Sequence, residues 1–257
     1  MFSSAVFSDL ELIPEASVGI LEDAGIEAVR HYAPLHYLPF IARSRLLMCK
    51  PALRAQGFAP SHLRSMSSKH DRKRGFGEYA FLTLDRSARI LAAKLDAGFP
   101  HCAIEVPASA FETLEFHLCR YNVAMTRYLK RGNRHGFPES DVNGRYYGDK
   151  QIPIAKVAKD KAAMLAHHLP LGTMIEVLVP GNLPLTDEVK VLCYSKQDAQ
   201  IAQRVLGALT VPWEVDVIDP PTVYNRDADY ASAVENFVSV ALRDPDWKGN
   251  GLEFDRV

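Results

Sequence analysis

Apolar positions along this chain alternate between a period of two and a period near 3.6, so strands and amphipathic helices are expected to be interleaved. Val18, Ile20, Leu21 and Ile26 suggest a short amphipathic helix, and residues 29–33 suggest a strand. Pro34 opens a helical pattern through Leu35, Leu38 and Ile41 that Arg45, Leu46 and Leu47 close. Residues 50–77 hold Pro51, Gly57, Pro60, Gly75 and Gly77, which predicts a long irregular loop with one helical turn near 62–66. A strand over 78–84 follows, then a helix over 87–98 with Ser87 as N-cap and Gly98 as its stop, then a strand over 101–106. Phe111 and Leu114 suggest a short helix, and Arg120, Tyr121 and Asn122 begin another strand. Residues 137–148 predict a loop with turns at Asn143-Gly144 and Gly148-Asp149.

The apolar run 173–180 carries one carboxylate, Glu176, among Met174, Ile175, Val177, Leu178 and Val179. An acid in such a run either lies on the solvent face of an edge strand or serves a function, and the run by itself leaves both open. A second strand over 188–194 comes next, then Ser195 as N-cap with Asp198 three residues on, and a helix through Ile201, Val205 and Leu209. Residues 213–218 alternate as a strand stopped by Pro220 and Pro221, and a last helix runs over 228–242.

The 257 residues suffice for one full core, and 47% hydrophobic with 24% charged residues is an ordinary globular composition. No run of 18 apolar residues and no basic-then-apolar start is present, which argues against a membrane span or a signal peptide. Cys49, Cys102, Cys119 and Cys193 are scattered, without the close pairs of a zinc site or the density of a disulfide scaffold, so a cytoplasmic protein is expected. The net charge is only −1, yet the charge is segregated along the chain. Nine Lys or Arg lie between Arg43 and Arg74 against the single acid Asp71, and five more between Arg120 and Arg134 face no acid. Residues 1–29 hold six acids and no Lys or Arg. A basic middle between acidic ends suits a nucleic-acid groove, although a solvated face or a protein-docking surface has the same pattern.

The order of a glutamate strand, a strand ending in Tyr194-Ser195 and a helix to Leu209 resembles the C-terminal end of the DarT family, toxin enzymes that transfer ADP-ribose from NAD onto bases of nucleic acid. Further pieces of the resemblance lie at His31 and along Glu78 to Leu84, so that it spans about residues 29–224. Ala33 and Tyr37 stand where the family usually has Thr and Asn. The resemblance implies an α+β fold with an ADP-ribosyltransferase-like split β-sheet core and surrounding helices. It also implies three parts: an acidic N-terminal extension (1–28), the ADP-ribosyltransferase domain (29–224), and a C-terminal helix and tail (225–257).

By the same resemblance Glu176 is the catalytic acid, with Arg72, or else Arg74, fixing the diphosphate or the acceptor. His31 would hold the NAD ribose near Ala33, and Tyr79 and Phe81 would share one strand face, one of them forming a nicotinamide wall. Arg134, Arg145, Tyr146 and Tyr147 would contact the DNA or RNA substrate through phosphates and a stacked ring. An antitoxin or other inhibitory partner could engage the terminal extensions. No metal is expected. GxGxxG, GxxxxGK[ST] and GxSxG are all absent, which leaves no Rossmann fingerprint, P-loop or nucleophile elbow. Arg226 and Arg243 read as surface charges remote from this chemistry.

Overall fold

The computed structural model describes residues 19–58, 77–84, 91, 95–120, 126–128, 151–153, 156–158, 160–171, 174–220 and 224–249. A short helix α1 (Ile20–Asp23) leads into β1 (Ala28–Pro34), a single 3-10 turn and α2 (Leu38–Ser44). Arg45, in the left-handed region at φ 52°, ends α2 with its N–H on Ile41 O. It turns the chain into β2 (Leu46–Leu47) and α3 (Lys50–Ala55). Then come β3 (Tyr79–Thr83), β4 (His101–Pro107), β5 (His117–Arg120), β6 (Thr126–Tyr128), β7 (Gln151–Pro153), β8 (Lys156–Val157) and α4 (Lys161–His168). The last third contains β9 (Ile175–Pro180), β10 (Leu183–Pro184), β11 (Lys190–Cys193), α5 (Lys196–Ala208), β12 (Glu214–Val217) and α6 (Ala228–Arg243).

Eight of these strands form one sheet in the order β12-β11-β4-β1-β3-β9-β5-β8. Every pairing in it is antiparallel except β11 with β12, which α5 connects as a parallel crossover. Seven register pairs join β1 to β4 and five join β3 to β9, whereas β1 and β3 meet at a single pair, Arg30 with Thr83. The sheet is therefore two four-stranded halves hinged at one point, the split core expected from the resemblance.

One face of both halves builds the main core. Val29, Ile104, Val177, Val179, Ile175, Leu118 and Val191 point to it and pack against Leu35 and Leu38 around α2, Leu165 of α4, and Ile201 and Val205 of α5. Leu21 and Ile26 belong to the same core, so residues just before β1 pack on the sheet. At the other end α6 adds Val234 and Val238 to it. Phe237 of α6 also sits fully buried among the rings of His36, Phe40 and Trp247.

The polar positions that support this layout are local. Ser195 Oγ accepts from Asp198 N at 3.1 Å and starts α5, as the sequence predicts. Asp198 itself is fully buried, accepting from Tyr224 Oη at 2.9 Å and Arg226 Nε at 2.9 Å. Arg226 is thus no surface charge: it ties the segment before α6 to the start of α5. Gly98, at φ 76°, accepts from Asp227 N at 3.1 Å; a Cβ there would lie 2.8 Å from Asn225 O. Only glycine fits both that backbone and that approach.

β5 covers the first residue of the strand expected from Arg120, and residues 121 and 122 of that strand lie outside the described residues. Leu118 supplies the core face of β5, and His117 and Cys119 its opposite face. One expectation needs correcting. The loop expected from residue 50 begins with α3, in which no residue is buried, so no apolar period marks it. The expected turn near 62–66 lies outside the described residues. Within the expected helix over 87–98, Leu91, Leu95 and Asp96 are helical.

Candidate active site

β9 is an interior strand of the sheet, between β3 and β5, and Ile175 to Val179 are all buried. Glu176 is 5% exposed. This removes the edge-strand explanation for its carboxylate: no strand edge of β9 faces solvent, and Glu176 stands on the face opposite Ile175, Val177 and Val179. Register places its neighbours. Thr83 lies beside it on β3 and Cys119 on β5, and one step along, Phe81, Leu178 and His117 form the next row. Tyr79, Phe81, Leu178 and Cys119 form a small apolar cluster on this face, separate from the main core. Thr83 Oγ1 donates to Ile175 O at 3.2 Å, which holds β3 and β9 in register at the glutamate.

His31 lies one residue beyond the single pair that joins the two halves. Where a continuing ladder would have put backbone, its Nδ1 reaches Phe81 O at 2.7 Å. A carbonyl only accepts, so Nδ1 carries the proton. Burial lowers the His31 pKa below the ordinary histidine value, partly opposed by the bond to Phe81. The ring is thereby neutral near pH 7 and presents Nε2 as an acceptor. Ala33, two residues on, is 2% exposed and pairs with Cys102, so it packs in the core with no side-chain atom to offer a ligand.

Tyr79 and His117 face each other across β9 with ring centroids 5.8 Å apart. Burial raises the Tyr79 pKa, and the carboxylates of Glu115 and Glu78 add to the shift. Burial lowers the His117 pKa, while Glu115, 3.6 Å from Nε2, pulls the other way and Lys161 reinforces the lowering. Both rings are therefore uncharged at neutral pH.

The structure thus gathers Glu176, Tyr79 and Phe81 on one sheet face; His31, the register partner of Ile104, stands on the core side of β1 at the split and meets this group through its bond to Phe81 O. Arg72, Arg74, Arg134, Arg145, Tyr146 and Tyr147 lie outside the described residues. Sequence reading missed His117, Thr83, Cys119 and Arg30 on the same face. Strict alternation through Phe116, His117, Leu118 and Cys119 was the available signal for two of them; the other two become neighbours of Glu176 only through register. Among the described residues no group of three or more His, Cys, Asp or Glu side chains is placed to hold a metal ion. No described helix is long and apolar enough to cross a membrane.

A scan against protein-family models finds no match, and a search of curated proteins finds none either. Among solved structures, DarT from Thermus sp. 2.9 in complex with NAD+ is similar over 77% of this chain and 98% of its own, with a TM-score of 0.51 at 14% identity. The same DarT in complex with ADP-ribosylated ssDNA gives a TM-score of 0.49 over 76% and 94% of the two chains, also at 14% identity. The split sheet, the carboxylate inside it and the superposition agree: this chain has the fold of the DarT ADP-ribosyltransferases, an α+β split-sheet core with surrounding helices.

Proposed function

We propose that this protein is an NAD-dependent ADP-ribosyltransferase that modifies a nucleobase of DNA or RNA. In this reading it acts in the cytoplasm as a bacterial toxin of a toxin–antitoxin or anti-phage system. The observation that carries the proposal is Glu176: a carboxylate 5% exposed, on an interior strand, facing an aromatic-lined patch rather than solvent. A carboxylate on a strand interior to the sheet is explained by chemistry that uses one. The fold neighbour with NAD+ bound, and the likeness of the motifs around His31, Tyr79 and Glu176 to the DarT family, support NAD as the donor.

The residues fit that substrate. His31 Nε2 accepts a hydrogen bond from a ribose hydroxyl, and Tyr79 and Phe81 flank the nicotinamide. Glu176 accepts from the ribose 2′-hydroxyl and offsets positive charge as the C1′–nicotinamide bond lengthens. Nicotinamide leaves with the bonding pair, a base nitrogen forms the new bond to C1′, and the proton it loses passes to Glu176. Arg72 or Arg74 steadies the diphosphate or the acceptor, and Arg134, Arg145, Tyr146 and Tyr147 bind the nucleic acid. Residues 1–28 and 225–257 are the segments we assign to an antitoxin or other inhibitory protein.

The test is incubation of the purified chain with labelled NAD and, in parallel, single-stranded DNA, duplex DNA, RNA and lysate protein, followed by mass analysis of the labelled species. Label on a nucleic acid is expected, and it identifies strand type and base together. Label confined to protein would replace the acceptor in this reading with a protein side chain. Intact NAD in every arm would remove the enzymatic reading.

A further inference from the structure

Arg30 is a charged side chain on the Glu176 face that the reading above leaves unused. Register sets six polar or charged residues in a row across this face: Glu214, Lys190, Glu105, Arg30, Thr83 and Glu176. The first two pair with each other, Lys190 Nζ to Glu214 Oε2 at 2.7 Å. Arg30 pairs with Glu105, with Nε donating to Oε2 at 2.8 Å and Nη2 lying 2.7 Å from the same oxygen. Arg30 is therefore the cation nearest Glu176 in the row, two strands away, which at the usual strand spacing of about 4.8 Å separates the two backbones by roughly 10 Å.

The geometry of the pair matters more than its presence. Glu105 takes Nε and one Nη through a single oxygen, an arrangement that orients the guanidinium from one side and leaves Nη1 outside the contact. The two side chains are 21% and 19% exposed, so an incoming ligand can reach them. A guanidinium fixed at one edge and open at another is pre-ordered for an anion and loses little rotamer freedom on binding it. The position suits the anionic part of a donor whose ribose lies at Glu176, or a phosphate of an acceptor entering over β1.

We propose that Arg30 is a phosphate-contacting residue of the Glu176 site, oriented by Glu105; this rests on the ADP-ribosyl-transfer reading. Two arms identify which phosphate it meets. In the donor arm, binding of NAD and of nicotinamide riboside, which lacks phosphate, is measured by calorimetry on the wild-type chain and on Arg30→Gln. Affinity for NAD is expected to fall about tenfold, as for loss of one charge-assisted contact, with nicotinamide riboside unchanged. In the acceptor arm, the salt dependence of oligonucleotide binding is expected to lose about one unit of log–log slope if the phosphate is the acceptor's.

Arg30→Lys keeps the charge but not the fork, and should fall between the wild type and Arg30→Gln; it carries the donor arm if Arg30→Gln does not fold. Unchanged NAD affinity with an unchanged salt slope overturns the proposal. Equal weakening toward NAD and nicotinamide riboside also overturns it, because that is the signature of a purely structural ion pair. A wild-type chain that binds neither NAD nor nucleic acid fails before any substitution is made, and overturns the transfer reading and this inference together.

Discussion

Glu176 and His31 are placed by opposite demands. The carboxylate is an acceptor held inside the sheet, where a charged group costs stability unless its surroundings compensate. Glu176→Gln keeps the volume and removes the charge. Transfer activity should fall by roughly 10²–10³-fold, the usual cost of losing one transition-state electrostatic contact, while the melting temperature holds or rises. Activity within a few-fold of wild type, measured as ADP-ribose incorporated per unit time, would dismiss Glu176 as the acid. His31 must instead stay neutral. Its folded-state pKa lies below the unfolded value, so the unfolded chain takes up more protons as the pH drops through about 6.5. Its stabilisation is complete above that pH and declines below it, levelling off once the folded-state pKa has been passed. His117 shifts the same way and adds to the slope. Urea midpoints should therefore drop between pH 7.5 and 5.5, and drop less in a His31→Gln, His117→Gln double variant; parallel curves would contradict buried neutral rings.

At the scale of elements, α5 depends on a residue that does not touch the site. Asp198 lies in the first turn of α5, fully buried, with Tyr224 and Arg226 donating to its two oxygens. Asp198→Ala would strand the Arg226 charge and is expected to cost about 3–5 kcal/mol of unfolding free energy, read from urea denaturation. A loss under 1 kcal/mol would mean that Arg226 finds solvent instead. The contrast between Asp198 and α3 also marks how far the sequence is legible. Strands β1, β3, β4, β9 and β11 are apolar runs with clear stops, and their periods survive into the structure within a residue or two. β5 begins at His117, ahead of the start expected at Arg120, because His117 and Cys119 dilute its apolar count, although both lie on the Glu176 face. α4 buries only Leu165 and His168, too few positions to show a period. Glu176 stood out as an acid in an apolar run, a local anomaly. Arg30 did not, since its closeness to Glu176 is created by two strand registers and by a split that no local pattern encodes.

For the molecule as a whole, the question is whether residues 225–257 are an appendage or a wall. The sequence separates them from the domain, since α6 follows the point where the resemblance ends. In the structure, Phe237 is fully buried with its ring 4.8 Å from His36, 5.9 Å from Phe40 and 4.5 Å from Trp247. Val234 and Val238 join the main core, and the segment before α6 supplies both partners of Asp198 and the close approach to Gly98. His36 and Phe40 lie just past β1, the strand that carries His31, so α6 supports one side of the split through them. Phe237→Ala should cost about 3–5 kcal/mol, the range for emptying a buried aromatic site. A chain ending at residue 224 should fail to give a cooperative thermal transition, because it exposes that aromatic cluster and leaves Asp198 without Arg226. The full chain should melt in one step by far-UV dichroism and by tryptophan fluorescence alike, since Trp247 reports α6 and Trp213 reports the β11–α5–β12 unit. Two separated transitions, or a shortened chain that melts as the full one does, would make α6 a detachable element.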